Sequence, residues 1–332
     1  MKKILYVLCL LTTLVACSDD DDKIITDYDK PYTKLPSSEL RTLIEDNINS
    51  CVTLAKEFNE MGKNNSIFDI MNYYRINFDF NILDFMNSRS SDPSKENTFT
   101  GMKLVWNKDK QDFDTTINAA GFMEIFFPSS KTDQSKNDLH FIATINYSTN
   151  VYLETKVYNE EKVLFRQVQQ YNKETSEAIQ VEEYPPYSAT IKMNINDDDM
   201  VSGLIAKRML REITLLKEGG DHYNLSMNIE NGNLYLVTEF NNIRIRSTVE
   251  QFSSIQALIK EIYYTNEGRY EELATELIQK NMRESVIVFT DKDEKIGEWE
   301  FVKLERLSPR CKCIFQDGTE LPFTLYMLLY LK

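Results

Sequence analysis

The sequence predicts an α+β fold: mostly an antiparallel β-sheet meander, with an N-terminal amphipathic helix and further helices in the C-terminal half. Three observations predict it. Leu139, Phe141, Ala143, Ile145 and Tyr147 alternate with polar partners, as do Val151, Leu153, Thr155 and Val157. That period of two is the mark of a strand with one wet face. Asn231-Gly232 separates two further alternating runs, and Asn-Gly suits the left-handed turn of a two-residue hairpin. Finally, Leu40, Leu43, Ile44, Ile48, Cys51, Val52, Ala55 and Phe58 fall three and four apart, which lays one apolar stripe along a helix.

In chain order, residues 17–36 are polar, contain Pro31 and Pro36, lack periodicity and read as an acidic flexible tether. Ser37 or Ser38 caps the first helix, Glu39 sits in its first turn where the helix dipole favours a carboxylate, and Gly62 to Asn65 end it. From Ser66 to Phe85 two patterns compete. Ile67, Ile70, Met71 and Tyr74 suit a helix, whereas Ile76, Phe78, Phe80 and Ile82 alternate, so the expectation is a helix passing into a strand or a second helix. Ser88 to Asn97 is a polar loop. Short β-prone runs follow at 99–106, 113–117, 122–127 and 163–168, and the meander resumes at Ile191 after Pro185-Pro186. Val201, Leu204, Ile205, Met209, Ile213 and Leu216 have helix spacing, with Asp199 as N-cap and Gly219-Gly220 as terminator. Strands from Tyr223 to Ile245 complete a segment of 37–250. Residues 251–332 add two helices, on Ile255, Leu258, Ile259 and Ile262 and on Leu273, Leu277 and Ile278. Hairpins close the chain at Val286–Phe289 with Trp299–Leu304 and at Cys311–Phe315 with Phe323–Leu328. The two segments are compatible with one domain or two.

A chain of 332 residues buries a substantial core. Its 18 Phe and 18 Tyr against 10 Gly are the composition of a folded protein. The net charge of −14 argues against nucleic acid and against an anionic membrane surface, both of which select clustered Lys and Arg.

Lys2 and Lys3 precede an apolar run, Ile4 to Val15. It is about a dozen residues long where a membrane span needs about 20, so residues 1–16 read as a signal peptide. Leu14-Val15-Ala16-Cys17 resembles the bacterial lipobox. The resemblance implies that Cys17 becomes the acylated first residue and that the partner there is the lipid bilayer. Two or more acyl chains hold a protein stably, at about 0.8 kcal/mol per buried CH₂. Ser18 followed by Asp19, Asp20, Asp21 and Asp22 looks like the start of surface-exposed lipoproteins of Bacteroidota-type bacteria, in which such an acidic stretch accompanies export to the outer face. The competing reading is a solvated spacer. Cys9 leaves with the signal, so Cys51, Cys311 and Cys313 remain in the folded part, enough for one disulfide at most.

The folded part carries little that reads as chemistry. His140 lies on the polar side of a strand and His222 in a turn, and neither has neighbours in sequence that make a base or a metal site. Cys311 and Cys313 share one strand face but lack the second pair that zinc takes. They read as buried strand cysteines. Asp197 to Asp199 reads as a helix start, and Asp291 to Glu298 lacks the glycine of a calcium loop and reads as a hairpin turn. No metal and no cofactor is expected. Trp106, Trp299 and the Tyr184–Tyr187 corner are the aromatic candidates for stacking on a sugar ring, each weighed against a place in the core.

The functional expectation is therefore a lipid-anchored outer-membrane protein, facing the exterior, with a non-enzymatic binding or scaffold role. One alternative is an accessory glycan-binding protein of a polysaccharide-uptake system, which requires aromatics clustered on an exposed face. The other is a carboxylate-dependent envelope hydrolase, which requires two acidic side chains converging in a pocket about 5–9.5 Å apart.

Overall fold

The computed structural model of the chain describes residues 29–76, 101–119, 121–147, 150–172, 174–195, 208–255, 258, 269–292, 294–305 and 308–324. Cys17 and Asp19, Asp20, Asp21 and Asp22 lie outside the described residues, with the signal segment 1–16. So do the alternating run from Phe78 to Ile82, the cap at Asp199, and Ile259 and Ile262. The chain forms two compact units: unit 1 is Met1–Asn59 with Arg208–Lys332, and unit 2 is Glu60–Lys207.

The first helix, α1 (Ser37–Lys63), belongs to unit 1 as far as Asn59. Leu40, Ile44, Cys51, Leu54, Ala55 and Phe58 form its buried stripe.

Unit 2 contains α2 (Ser66–Tyr73) and eight strands: β1 (Met102–Asn107), β2 (Asp112–Ile117), β3 (Phe122–Phe127), β4 (Leu139–Tyr147), β5 (Asn150–Asn159), β6 (Lys162–Asn172), β7 (Glu177–Tyr184) and β8 (Tyr187–Ile195). Their order is β2-β1-β3-β4-β5-β6-β7-β8. All adjacent pairs run antiparallel except β1 and β3, which run parallel with Leu104 opposite Ile125. Register turns the sequence alternation into a core. Ile125, Phe141, Val157 and Phe165 stand side by side across β3 to β6, and all four are buried. Over this row lies α2, started by the Asn65 side chain, which accepts from the Ile67 N–H, and seated by Phe68 edge-on to Phe165 at 5.2 Å. The opposite sheet face is charged: Arg166 donates to both Glu154 and Glu183 at 2.8 Å.

Unit 1 continues with β9 (Arg208–Lys217), β10 (His222–Glu230), β11 (Asn233–Phe240), β12 (Ile243–Val249), α3 (Tyr270–Asn281), β13 (Met282–Phe289), β14 (Lys295–Glu305), β15 (Ser308–Phe315) and β16 (Glu320–Thr324). These strands are ordered as in sequence and are antiparallel throughout. Asn231 and Gly232 both have positive φ, 50° and 80°, and form the turn between β10 and β11. At Gly297 a Cβ would stand 2.7 Å from the Ile314 carbonyl and 2.8 Å from the Cys313 sulfur, so glycine is what lets β14 close on β15 there.

Helix α1 spans this sheet. At its start the Ser37 hydroxyl donates to Asp317 in the β15–β16 turn (2.6 Å), and Arg41 donates to the Glu320 carbonyl (2.7 Å). Near its end Glu57 pairs with Lys217 of β9 at 3.0 Å. The chain ahead of α1 is also attached. Lys295 N–H donates to the Pro31 carbonyl (2.8 Å) and Thr33 N–H to the Lys295 carbonyl (2.9 Å), so Tyr32 forms a parallel bridge to the start of β14.

The α+β expectation with further C-terminal helices is overturned: strands dominate the described chain, and the sheet is mixed because of the parallel β1–β3 pair. Among the described residues the C-terminal half has one complete helix, α3, and a helical turn at 252–255, which do not amount to a helical layer. Of the helix expected over Val201 to Leu216, residues 201–207 lie outside the described residues. From Arg208 that segment is strand β9. Its apolar residues fit both periods, and pairing decides: Ile213 stands opposite Leu225 and Leu215 opposite Tyr223, all four buried, while Leu216 faces water.

The strand geometry makes a sharp prediction. Leu215 is 2% exposed and Leu216 is 44% exposed. In chemical denaturation Leu215→Ala should cost about 2–5 kcal/mol and Leu216→Ala about 0.5 kcal/mol or less. Equal costs would contradict the strand register.

Candidate functional site

Among the described residues, an aromatic cluster with an opening to solvent lies in unit 2, where the end of α2 meets β1 and β2. Helix α2 stops at Tyr74, whose ring is buried and whose hydroxyl donates to the Ser130 carbonyl at 2.7 Å. Burial pushes that phenol up to about 12. The preceding residue, Tyr73, is 48% exposed and stands edge-on to Tyr74 with ring centres 5.0 Å apart. A tight turn joins β1 to β2: the Asn107 side chain accepts from the backbone N–H groups of Asp109 (3.0 Å) and Lys110 (3.2 Å). This aligns Trp106 opposite Phe113, ring centres 5.2 Å apart, with Trp106 also 4.7 Å from Tyr74.

One side chain organises the rim. The Gln134 carbonyl oxygen accepts from the Trp106 indole N–H (3.2 Å) and from the Gln111 amide (3.0 Å), and its own amide donates to the Tyr73 hydroxyl (3.4 Å). Trp106, Phe113, Tyr73 and Tyr74 thus line a cleft of about 600 Å³, with Leu104, Met123 and Ile125 beneath and Arg75, Gln111 and Asp112 at its edge. An apolar floor with a few convergent polar groups, at a volume between about 300 and 1,000 Å³, is the usual make-up of a small-ligand site.

Of the aromatic candidates named from sequence, Trp106 alone lines this cleft. Trp299 is buried, and its indole N–H donates to the Arg246 carbonyl at 2.9 Å. Tyr184 is buried against Phe165 (5.3 Å) and Phe68 (6.1 Å), with burial pushing its phenol above the usual range, and Tyr187 stands across the turn from it. The sequence reading missed Tyr73, Phe113, Arg75 and Gln134. The signal for Phe113 was present, because a short turn after Trp106 brings the next aromatic back opposite it. Gln134, remote in sequence and in an irregular loop, left none.

The cysteines belong to unit 1. Cys51, Cys311 and Cys313 are free and buried, and burial pushes the thiols of Cys311 and Cys313 up to about 12. Such thiols are protonated and unreactive. Glu284, Glu298 and Glu300 line a second cavity, of about 460 Å³, in unit 1. Two of them are already engaged by cations: Glu298 with Lys295 (3.1 Å) and Glu300 with Lys312 (3.2 Å). His222 begins β10 and donates its backbone N–H to the Asn241 side chain.

His140 stacks on Phe126 with ring centres 4.1 Å apart, and its Nε2 lies 3.2 Å from Glu124 outside hydrogen-bond geometry. Burial lowers its pKa; Glu124 opposes the shift and Lys103 reinforces it. Because the folded state takes up the proton less readily than the unfolded chain, this group withdraws stability as pH falls below about 6.5, levelling below the folded-state pKa. The unfolding free energy of the wild type should therefore fall relative to that of His140→Gln as pH drops from about 8 to about 5. A constant difference across that range would contradict the depressed pKa.

Comparison of the chain with protein-family models, curated proteins and solved structures finds no match.

Proposed function

We propose that the chain is an outer-membrane lipoprotein, anchored by acylated Cys17, displayed outward through Asp19 to Asp22, and acting without catalysis as a glycan-binding protein. The anchor and display rest on the lipobox and the acidic stretch that follows it. The binding role rests on one observation: Trp106, Phe113 and Tyr73 meet in an open cleft whose rim carries Gln111, Asp112 and Arg75. A pyranose ring has an apolar C–H face and a rim of hydroxyls. The C–H groups settle on the negative π face of an aromatic ring, and the hydroxyls exchange hydrogen bonds with planar amides, carboxylates and guanidinium groups. A cleft with both features suits such a ligand better than a purely apolar one.

Two experiments test this. Protease shaving of intact cells should remove the protein from immunoblots while a periplasmic control survives; protection would overturn outward display. On an oligosaccharide array the full chain, purified in detergent, should bind a restricted set of glycans. Trp106→Ala should weaken that binding about tenfold or more, given about 1–3 kcal/mol for a stacked aromatic anchor, whereas Tyr187→Ala should not. An array without hits, or equal effects of the two variants, would overturn the glycan reading.

A further inference from the structure

The most telling residue of the cleft is Arg75. It follows Tyr74 at the end of α2, where its N–H bonds to the Asn72 carbonyl (3.0 Å) and the Ile76 N–H reaches back to the Met71 carbonyl (2.9 Å). These paired bonds close the helix in a left-handed turn whose pivotal residue is usually glycine, because a side chain is strained there. Arg75 occupies that pivot at φ 58°. Its side chain is exposed and lines the aromatic cleft, and no described residue gives its guanidinium a hydrogen bond or an ion pair.

That isolation is unexpected in a chain with 52 acidic residues against 38 basic ones. Asp112 lines the same cleft and keeps its charge, its Oδ1 accepting from the neighbouring Phe113 N–H at 2.8 Å. A second cation is close, with Lys131 Nζ 5.9 Å from the centre of the Tyr73 ring. Arg75 and Lys131 thus place two cations beside Tyr73 and Tyr74 on a chain that carries −14. The remaining negative charge acts weakly across a screening length of about 8 Å.

We infer that the cleft is selective for an acidic sugar, whose ring lies against Trp106 and Tyr73 and whose carboxylate or sulfate is taken by Arg75. A guanidinium presents parallel N–H groups that match two oxygens of either anion. This rests on the glycan reading above and names the class of sugar within it.

The test is equilibrium binding of the full chain, in detergent, to matched neutral, uronate-containing and sulfated oligosaccharides, with Arg75→Gly beside the wild type. Glycine suits the left-handed pivot, so this variant keeps the turn and removes only the guanidinium. Uronate or sulfated oligomers should bind at least tenfold more tightly than neutral ones, and the preference should shrink as salt rises. Arg75→Gly should bring acidic oligomers down to the neutral affinity. The two acidic arms identify which anion is read. Equal or tighter neutral binding, or an unchanged acid preference in Arg75→Gly, overturns acid selectivity and leaves glycan binding standing. Failure of all three classes overturns the glycan reading itself.

Discussion

Unit 1 depends on a match of lengths. Between Ser37 and Glu57 the helix α1 rises about 30 Å at 1.5 Å per residue. From the β15–β16 turn to β9 the sheet crosses six to seven strand spacings, about 29–34 Å at 4.8 Å each. The polar ends of the helix therefore reach the two sides of the sheet, at Asp317 and Lys217, with the apolar stripe from Leu40 to Phe58 between them. A sheet whose strands follow one another in sequence has only local pairings. This helix, from the far end of the chain, joins its first and last strands. At its start the Ser37 and Thr319 hydroxyls and the Thr319 N–H hold the Asp317 carboxyl down at about 2.

Unit 2 solves a similar problem with a shorter helix, and the cleft is a consequence of that shortness. Helix α2 covers the buried row of β3 to β6 through Phe68 and stops at Tyr74. Strands β1 and β2 extend beyond the cover. Their faces are half-buried or exposed along their whole length, to the point that Ile117 is 86% exposed. Trp106 and Phe113 lie in this partly covered zone. Their rings are fixed edge-on by Tyr74 and by the Gln134 bridge, so little side-chain freedom is left to lose when a ligand arrives.

Much of this was legible in the sequence, and the failures have a common cause. Strands β4, β5, β10 and β11 announced themselves because one face is buried and the other wet, so composition alternates with the pleat. The Asn231-Gly232 turn was readable for a local reason, its backbone conformation. Residues 208–216 were misread because Met209, Ile213 and Leu216 keep a helical spacing while Ile213 and Leu215 also alternate, and the partner that decides, Tyr223 to Leu225, lies beyond the window. The cleft was half legible for the same reason. Trp106 stood out as a rare residue, whereas Phe113 was missed although the turn after Trp106 brings it back opposite. Tyr73 and Arg75 look like the end of any amphipathic helix until the left-handed turn at Arg75 sets them at the cleft.

The attachment of Tyr32 gives the proposed anchor a physical meaning. Lys295 is only 7% exposed at its side chain, held between the Tyr32 ring (4.2 Å) and the Glu298 carboxylate (3.1 Å), which also accepts from the Tyr32 hydroxyl at 3.2 Å. A lysine this enclosed keeps its charge with the help of the Glu298 carboxylate and the Tyr32 ring, and loss of Glu298 weakens that compensation. On the proposed anchoring, the first described attachment to the body after Cys17 is at Pro31 rather than at the helix cap. Fourteen or so residues at about 3.4 Å each allow at most about 50 Å between the lipid and the start of β14. Negative charge on both the tether and the body disfavours collapse onto an anionic leaflet. On the proposal of outward display, that repulsion suits a protein held toward ligands in the surrounding medium.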